Sequence, residues 1–132
     1  MSESYMHNMP MHPSLGPHEY KELELMLANK KPLALFYTDS EMPEEFTPYL
    51  ESGRLHCTQF THHFLFKGEP REIVYYVISH APNTPNVQRL IEVIKMTLSV
   101  GFSAPLEREI GQLLGYDDAD IEYYIQHINR NT

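Results

Sequence analysis

The sequence has few of the features that mark secreted, membrane-spanning or disulfide-stabilised proteins. Its 132 residues include one cysteine, Cys57, so no intramolecular disulfide can form. No apolar run approaches the roughly 18–20 residues that cross a bilayer. The N-terminus lacks the basic start and apolar stretch of a secretory signal. These absences predict a soluble protein of a reducing compartment, most simply the cytoplasm, with no membrane partner.

Basic residues are also scarce. The chain has 10 Lys and Arg against 18 Asp and Glu, which gives a formal net charge of −8. A nucleic-acid binder usually carries a basic face or stripe, and the few basic residues here are scattered. The acids concentrate in residues 39–51 and 117–122. Because acidic surfaces repel nucleic acid and attract basic proteins, we expect a protein partner and no nucleic acid. Simple solubility is the alternative explanation of the charge.

The chain length is that of one domain. Residues 1–16 contain two prolines and no hydrophobic period, so they predict a disordered tail, and residues 17–132 predict a single domain. Methionine and histidine alternate loosely between Met6 and His12 in this tail. Such soft donors favour Cu(I), and a flexible tail that binds no metal is the simpler interpretation.

The strands are predicted in the middle of the chain, with helices at both ends. Arg71–Ser79 is apolar on both alternating faces, which is typical of a central strand covered on two sides. A turn signal over Lys67–Pro70 joins it to the run Leu55–Phe66 in an antiparallel hairpin. This order predicts an α+β fold: a small antiparallel sheet of about three strands, with an N-terminal helix and a C-terminal three-helix segment packed on it. The other predicted elements are a helix at His18–Asn29, a strand at Pro32–Tyr37, a short helix near Glu44–Leu50 and a helix at Asn86–Val100, followed by one ending at Leu114 and one from Asp117 or Asp118 to about Asn129.

Residues 109–125 have the spacing of a helix-turn-helix unit. Gly111 is followed four positions later by a turn glycine, Gly115, and six positions after that by Ile121. The segment resembles the helix-turn-helix of DNA-binding regulators at Ile110, Gly111, Leu113, Leu114, Gly115, Ile121 and Ile125. The resemblance implies a tight helix pair, whose second helix enters the major groove in those regulators. Here that helix opens with acids, which phosphate groups repel, so DNA binding is disfavoured.

A group of histidines beside the single cysteine supports an alternative function, a small enzyme or a ligand- or metal-binding module. Its residues would be His56, Cys57, His62, His63, Tyr75 and His80. In one continuous strand, however, His56 and His62 would lie roughly 20 Å apart, and neighbouring residues point to opposite faces. Only a turn within residues 59–61 would bring them together. Cys57 has no sequence sign of an activated thiolate, so we expect a buried, inert thiol.

The leading hypothesis is a non-enzymatic interaction or regulatory protein that presents an acidic, tyrosine-bearing surface to a protein partner. No complete catalytic constellation is visible, so we assign no catalytic residue, metal or cofactor. The surface would comprise Asp39, Glu41, Glu44, Glu45, Asp117, Asp118, Asp120, Glu122 and Tyr123. The predicted hairpin leaves at least one strand edge to be protected or paired, so a homodimer and a monomer are equally compatible with the sequence.

Overall fold

The computed structural model describes residues 21–37 and 42–131. They form the predicted α+β fold, with the strands in the middle of the chain. The predicted tail, with its methionine and histidine donors, lies outside the described residues. Within the described ranges, no helix combines the length and apolar character needed to cross a membrane. The elements in chain order are α1 (Glu22–Leu27), β1 (Leu33–Tyr37), a 3-10 helix (Glu44–Phe46), α2 (Thr47–Glu51), β2 (His56–Phe66), β3 (Glu69–Ser79), α3 (Pro85–Val100), α4 (Ala104–Leu114) and α5 (Asp118–Asn131).

The three strands form an antiparallel sheet in the order β1-β3-β2, so β3 is central as its two apolar faces predict. Alternate β3 residues point to opposite faces. One face, which we call the first face, carries Tyr75 and Val77 and packs against α3, α4 and α5. The second face carries Ile78 and packs against α1, the 3-10 helix and Leu55. The sheet therefore lies between two layers of helix, and each layer closes its own apolar core.

The β2–β3 hairpin turns more tightly than the sequence suggests. Its loop is only Lys67 and Gly68, and Phe66 already pairs with Glu69. Both loop residues have positive φ, 53° and 82°, as expected of the two-residue hairpin turns that match strand twist. Our prediction that the turn extends to Pro70 is wrong. Pro70 belongs to the part of β3 that pairs with β2 and not with β1. Proline has no backbone N–H, and at this position no second strand needs one.

The N-terminal helix is shorter at its C-terminal end than predicted. α1 ends at Leu27, and Asn29 adopts a left-handed φ of 62°, which turns the chain toward β1. Its predicted start at His18 lies outside the described residues. Lys31 lies just before β1, and its side chain reaches the end of another helix, α4.

Candidate functional site

The helix-turn-helix resemblance is matched by a close pair of helices, α4 and α5. α4 ends at Gly115, whose φ of 87° and ψ of 20° place it in the left-handed region that glycine favours at helix ends. A Cβ on Gly111 would lie 2.6 Å from Cγ1 of the fully buried Ile121. The missing side chain at Gly111 is thus what lets the two helices approach.

Two ion pairs hold this helical layer together. Arg108 on α4 donates two hydrogen bonds to the carboxylate of Glu122 on α5, at 2.6 and 3.1 Å. Arg89 on α3 makes the same bidentate contact with the carboxylate of Glu109 on α4, with hydrogen bonds of 2.5 and 2.9 Å. The hydrogen bonds from Arg108 lower the pKa of Glu122. Glu122 is therefore already paired with Arg108 within the protein, although the sequence suggested it as part of the interaction surface.

The remaining predicted acids at this end of the chain lie at the start of α5. Asp117 and Asp118 are exposed and Asp120 is half-buried. Tyr123 lies one turn further along, with 58% of its surface exposed and its ring stacked on His127 at 6.1 Å between centroids. We call Asp117, Asp118, Asp120 and Tyr123 the acidic surface of α5. It combines negative charge with an exposed aromatic ring on a helix fixed by its neighbour.

The second predicted acidic segment lies elsewhere. Glu44 and Glu45 are exposed on the 3-10 helix, next to Phe46, which is buried in the core of the second face. α5 packs on the first face, so the sheet separates the two acidic regions. Asp39 and Glu41 lie outside the described residues. The two clusters consequently form two separate surfaces and not a single one.

The structure distributes the histidine and cysteine group over both faces of the sheet. β2 runs without interruption from His56 to Phe66, with no turn at residues 59–61. Register places His56 opposite Ser79, and His62 six positions further along, opposite Ile73. His56, His62 and Tyr75 share the first face, while Cys57 and His63 share the second. In the part of the chain that the structure describes, no three His, Cys, Asp or Glu side chains form a group able to hold a metal ion.

Each of these side chains has local neighbours of its own. His62 stacks on Phe64 at 5.6 Å, and His63 lies 3.8 Å from the carboxylate of Glu72. His80 makes a 3.2 Å hydrogen bond from Nε2 to the carbonyl of Lys31. Burial raises the pKa of the Cys57 thiol. A nucleophilic cysteine needs the opposite shift, toward the thiolate.

One buried charged residue was not identified from the sequence. Lys31 exposes only 2% of its surface, and its Nζ donates a 2.7 Å hydrogen bond to the carbonyl of Leu114 at the end of α4. The same Nζ lies 4.6 Å from the centre of the Tyr116 ring. Burial lowers the pKa of Lys31 to about 8, against an opposing effect of Glu22. No short sequence pattern predicts this contact, because Lys31 and Leu114 are 83 residues apart in the chain.

Glu107 is a half-buried charge that was also not identified from the sequence, although the sequence held a signal. It lies three residues after Ala104 and four before Gly111, on the inward stripe of α4. Burial raises the pKa of its carboxyl group, and a hydrogen bond with Tyr124 partly offsets that effect. The burial of Tyr124 raises its own pKa as well. The pair links α4 to α5.

Comparisons with known proteins add no relative to this description. No family model matches the chain, and no significant match is found among curated proteins or solved structures.

Proposed function

We propose that the protein is a non-enzymatic interaction or regulatory protein of the cytoplasm, whose acidic surface of α5 binds a basic segment of a protein partner. The observation that carries the proposal is the exposed Tyr123 beside Asp117, Asp118 and Asp120 at the start of one helix. Tyrosine supplies contact area with a polar tip, and it is enriched among the residues that dominate binding energy. The carboxylates add attraction for lysine and arginine, which speeds encounter and selects the partner.

The helix that presents this surface is well anchored. Gly111 seats against Ile121, and Arg108 holds Glu122 on the flank of the same helix. A fixed helix loses little conformational freedom when a partner binds, so more of the contact energy appears as affinity. The acids also make α5 a poor match for DNA, in spite of its position as the second helix of the unit.

The enzyme or ligand-module alternative draws no comparable support. Its candidate side chains are divided between the two faces of the sheet, and the Cys57 thiol is stabilised in its protonated form. A reaction or a metal site would require these groups to converge on one point. We therefore keep the interaction surface as the function that the geometry favours.

The proposal is tested by charge reversal on α5. The double variant Asp117→Lys/Asp118→Lys and the single variant Tyr123→Ala should each reduce recovery of a stoichiometric partner in a tagged pulldown from the native host. Tyr123→Ala should leave the melting temperature unchanged, because the ring is exposed. The double lysine variant should stay folded and lose only a few degrees, because its two aspartates lie at the start of α5, where carboxylates suit the helix dipole. Raising the salt concentration should weaken the wild-type interaction in the same way.

The matched control reverses two acids on the other side of the sheet, Glu44→Lys/Glu45→Lys. It changes the net charge by the same amount and should leave partner recovery intact. Recovery that survives the α5 variants and disappears with the control variant would contradict the assignment, since the partner would then bind the 3-10 helix. Full recovery with both variants would contradict an acidic interface altogether.

A further inference from the structure

The outer edge of β2 is the longest open strand edge in the described part of the chain. β2 has 11 residues and pairs there with β3 alone. Such an edge presents a row of backbone N–H and C=O groups that can pair with another strand. Leu65 adds an apolar side chain with 72% of its surface exposed. We therefore expect this edge to pair with another strand.

Among residues 21–37 and 42–131, the other edges of the sheet are protected and the β2 edge is not. β1 has only five residues and is flanked by α4. The part of β3 that extends beyond β1 carries Glu69, Pro70, Arg71 and Glu72, and charges and proline are the residues that block strand addition. β2 contains no Asp, Glu, Lys, Arg or Pro between His56 and Phe66. A chain of net charge −8 thus keeps one long edge free of formal charge.

A shallow groove on α3 lies above this edge. Its volume is about 500 Å³, and it opens to solvent. Lys95 Nζ lies 5.5 Å from the centre of the Phe60 ring, so the middle of α3 sits over the middle of β2. The groove is lined by Gln88, Ile91, Glu92, Lys95, Met96 and Ser99.

The lining of the groove is complementary to itself. If two copies of α3 run antiparallel about a two-fold axis near its midpoint, Ile91 of one faces Met96 of the other. The same operation places Glu92 opposite Lys95, and it places Gln88 opposite Ser99. Apolar residues meet apolar, opposite charges meet, and polar residues meet polar. This is the property that a two-fold interface requires of one surface.

We propose that a second copy of this chain pairs with β2 in antiparallel fashion about Thr61, which joins two sheets into one of six strands. Full overlap of β2 with its copy places Thr61 on the axis, Phe60 opposite His62 and Leu65 opposite Cys57. No like charges are opposed along the strand. The edge is about 36 Å long, and the α3 groove extends the contact beyond the strand, toward the roughly 1,200 Å² that a specific interface buries. The acidic surface of α5 is not used.

The test places charges on the proposed axis. Thr61 is exposed on the second face, so the folded protomer accepts a charged side chain there. In the dimer, two copies of residue 61 would lie about 5 Å apart at Cβ. We expect sedimentation equilibrium to show a wild-type dimer. Thr61→Lys alone and Thr61→Glu alone should each weaken it at least tenfold, and an equimolar mixture of the two variants should form a heterodimer.

Thr47→Lys on the exposed start of α2 is the matched control and should dimerise like the wild type. A second pair of variants tests the groove. Lys95→Glu should weaken the dimer, and Glu92→Lys/Lys95→Glu should restore part of it, since the second change also removes the ion pair between Glu92 and Arg89. A wild-type protein that stays monomeric at all concentrations would overturn the proposal, as would a Thr61→Lys variant that dimerises normally. A monomer that dimerises only after removal of residues 1–20 would also overturn it, since the N-terminal segment would then occupy the edge.

Discussion

Raising the pH from about 7.5 to about 9.5 is expected to stabilise the folded protein through Lys31. Burial lowers the pKa of this lysine from 10.5 to about 8 in the folded state. Between those two values the unfolded chain binds a proton that the folded protein does not, so the free energy of unfolding rises with pH. This contribution of Lys31 to the free energy of unfolding is fully present above pH 10.5, and it is lost as the pH falls through about 8.

The size of the effect follows from the two pKa values. The full difference corresponds to about 3 kcal/mol, at about 1.4 kcal/mol per pKa unit. Roughly 2 kcal/mol of that is gained between about pH 7.5 and about pH 9.5. Glu22 opposes the effect of burial on this pKa. The hydrogen bond to Leu114 and the Tyr116 ring also favour the ammonium form. Lys31 is almost completely buried, so bulk solvent does little to screen the difference.

Other groups titrate in the same range and work in the opposite direction. The Cys57 thiol has a raised pKa in the fold, so it lowers stability as the pH rises, and Tyr116 does the same closer to pH 10. A Lys31→Met variant separates the contributions, because it keeps the apolar stem and removes only the titrating group. Cys57 then cancels in the difference between wild type and variant. Tyr116 touches Lys31 and does not cancel in the same way, but it contributes mainly at the upper end of the pH range.

The assay is urea unfolding followed by far-ultraviolet circular dichroism, at a series of pH values for both proteins. The wild-type free energy of unfolding, minus that of Lys31→Met, should rise by about 2 kcal/mol across the range. The variant also loses the hydrogen bond to Leu114. This loss lowers its free energy of unfolding by the same amount at every pH, so it does not change how that free energy varies with pH. Two parallel curves would refute the reasoning, since they would mean that Lys31 keeps its ordinary pKa in the fold.

Two glycines of the helix pair give further predictions, both measured as chemical denaturation midpoints. Gly111→Ala should cost about 1–2 kcal/mol, because crowding against Ile121 outweighs the better helix propensity of alanine, and combining it with Ile121→Ala should be less damaging than the sum of the single changes. Gly115→Ala should cost about 2 kcal/mol or more, since its φ of 87° disfavours a side chain and a Cβ would lie 2.8 Å from Cδ of Pro32. Gly53→Ala has a similar φ of 80° with nothing within 4 Å, so it should cost only about 1 kcal/mol, and equal losses at both glycines would contradict the contact with the proline.

The parts of the fold that the sequence predicted are those that neighbouring residues determine. Val74, Tyr76 and Ile78 alternate with apolar residues of the other face, and this alone marks β3 as covered on both sides. Gly111 and Gly115 have the spacing of a tight helix pair, and the structure places Gly111 at the contact with α5 and Gly115 at the end of α4. In both cases the residues that form the pattern lie close together in the sequence.

The rest depends on contacts between distant segments. Lys31 follows two exposed residues and looks like a surface lysine until α4 is brought over it. Glu122 looked available for a partner because the sequence does not show that Arg108 lies across from it on a different helix. The sequence also does not show that the sheet lies between the two acidic segments.

The two proposals reinforce each other through their geometry. α4 lies beside β1, since Pro32 approaches Gly115 at the end of that helix, and β2 is at the opposite edge of the sheet. A two-fold axis at Thr61, perpendicular to the sheet, keeps the first face of both copies on the same side. The dimer would then present two acidic surfaces of α5 in the same direction. A partner with two basic segments would bind such a dimer with an avidity that one copy lacks. The Thr61→Lys variant should therefore bind a single basic segment as well as the wild type does, and bind the two-segment partner less tightly.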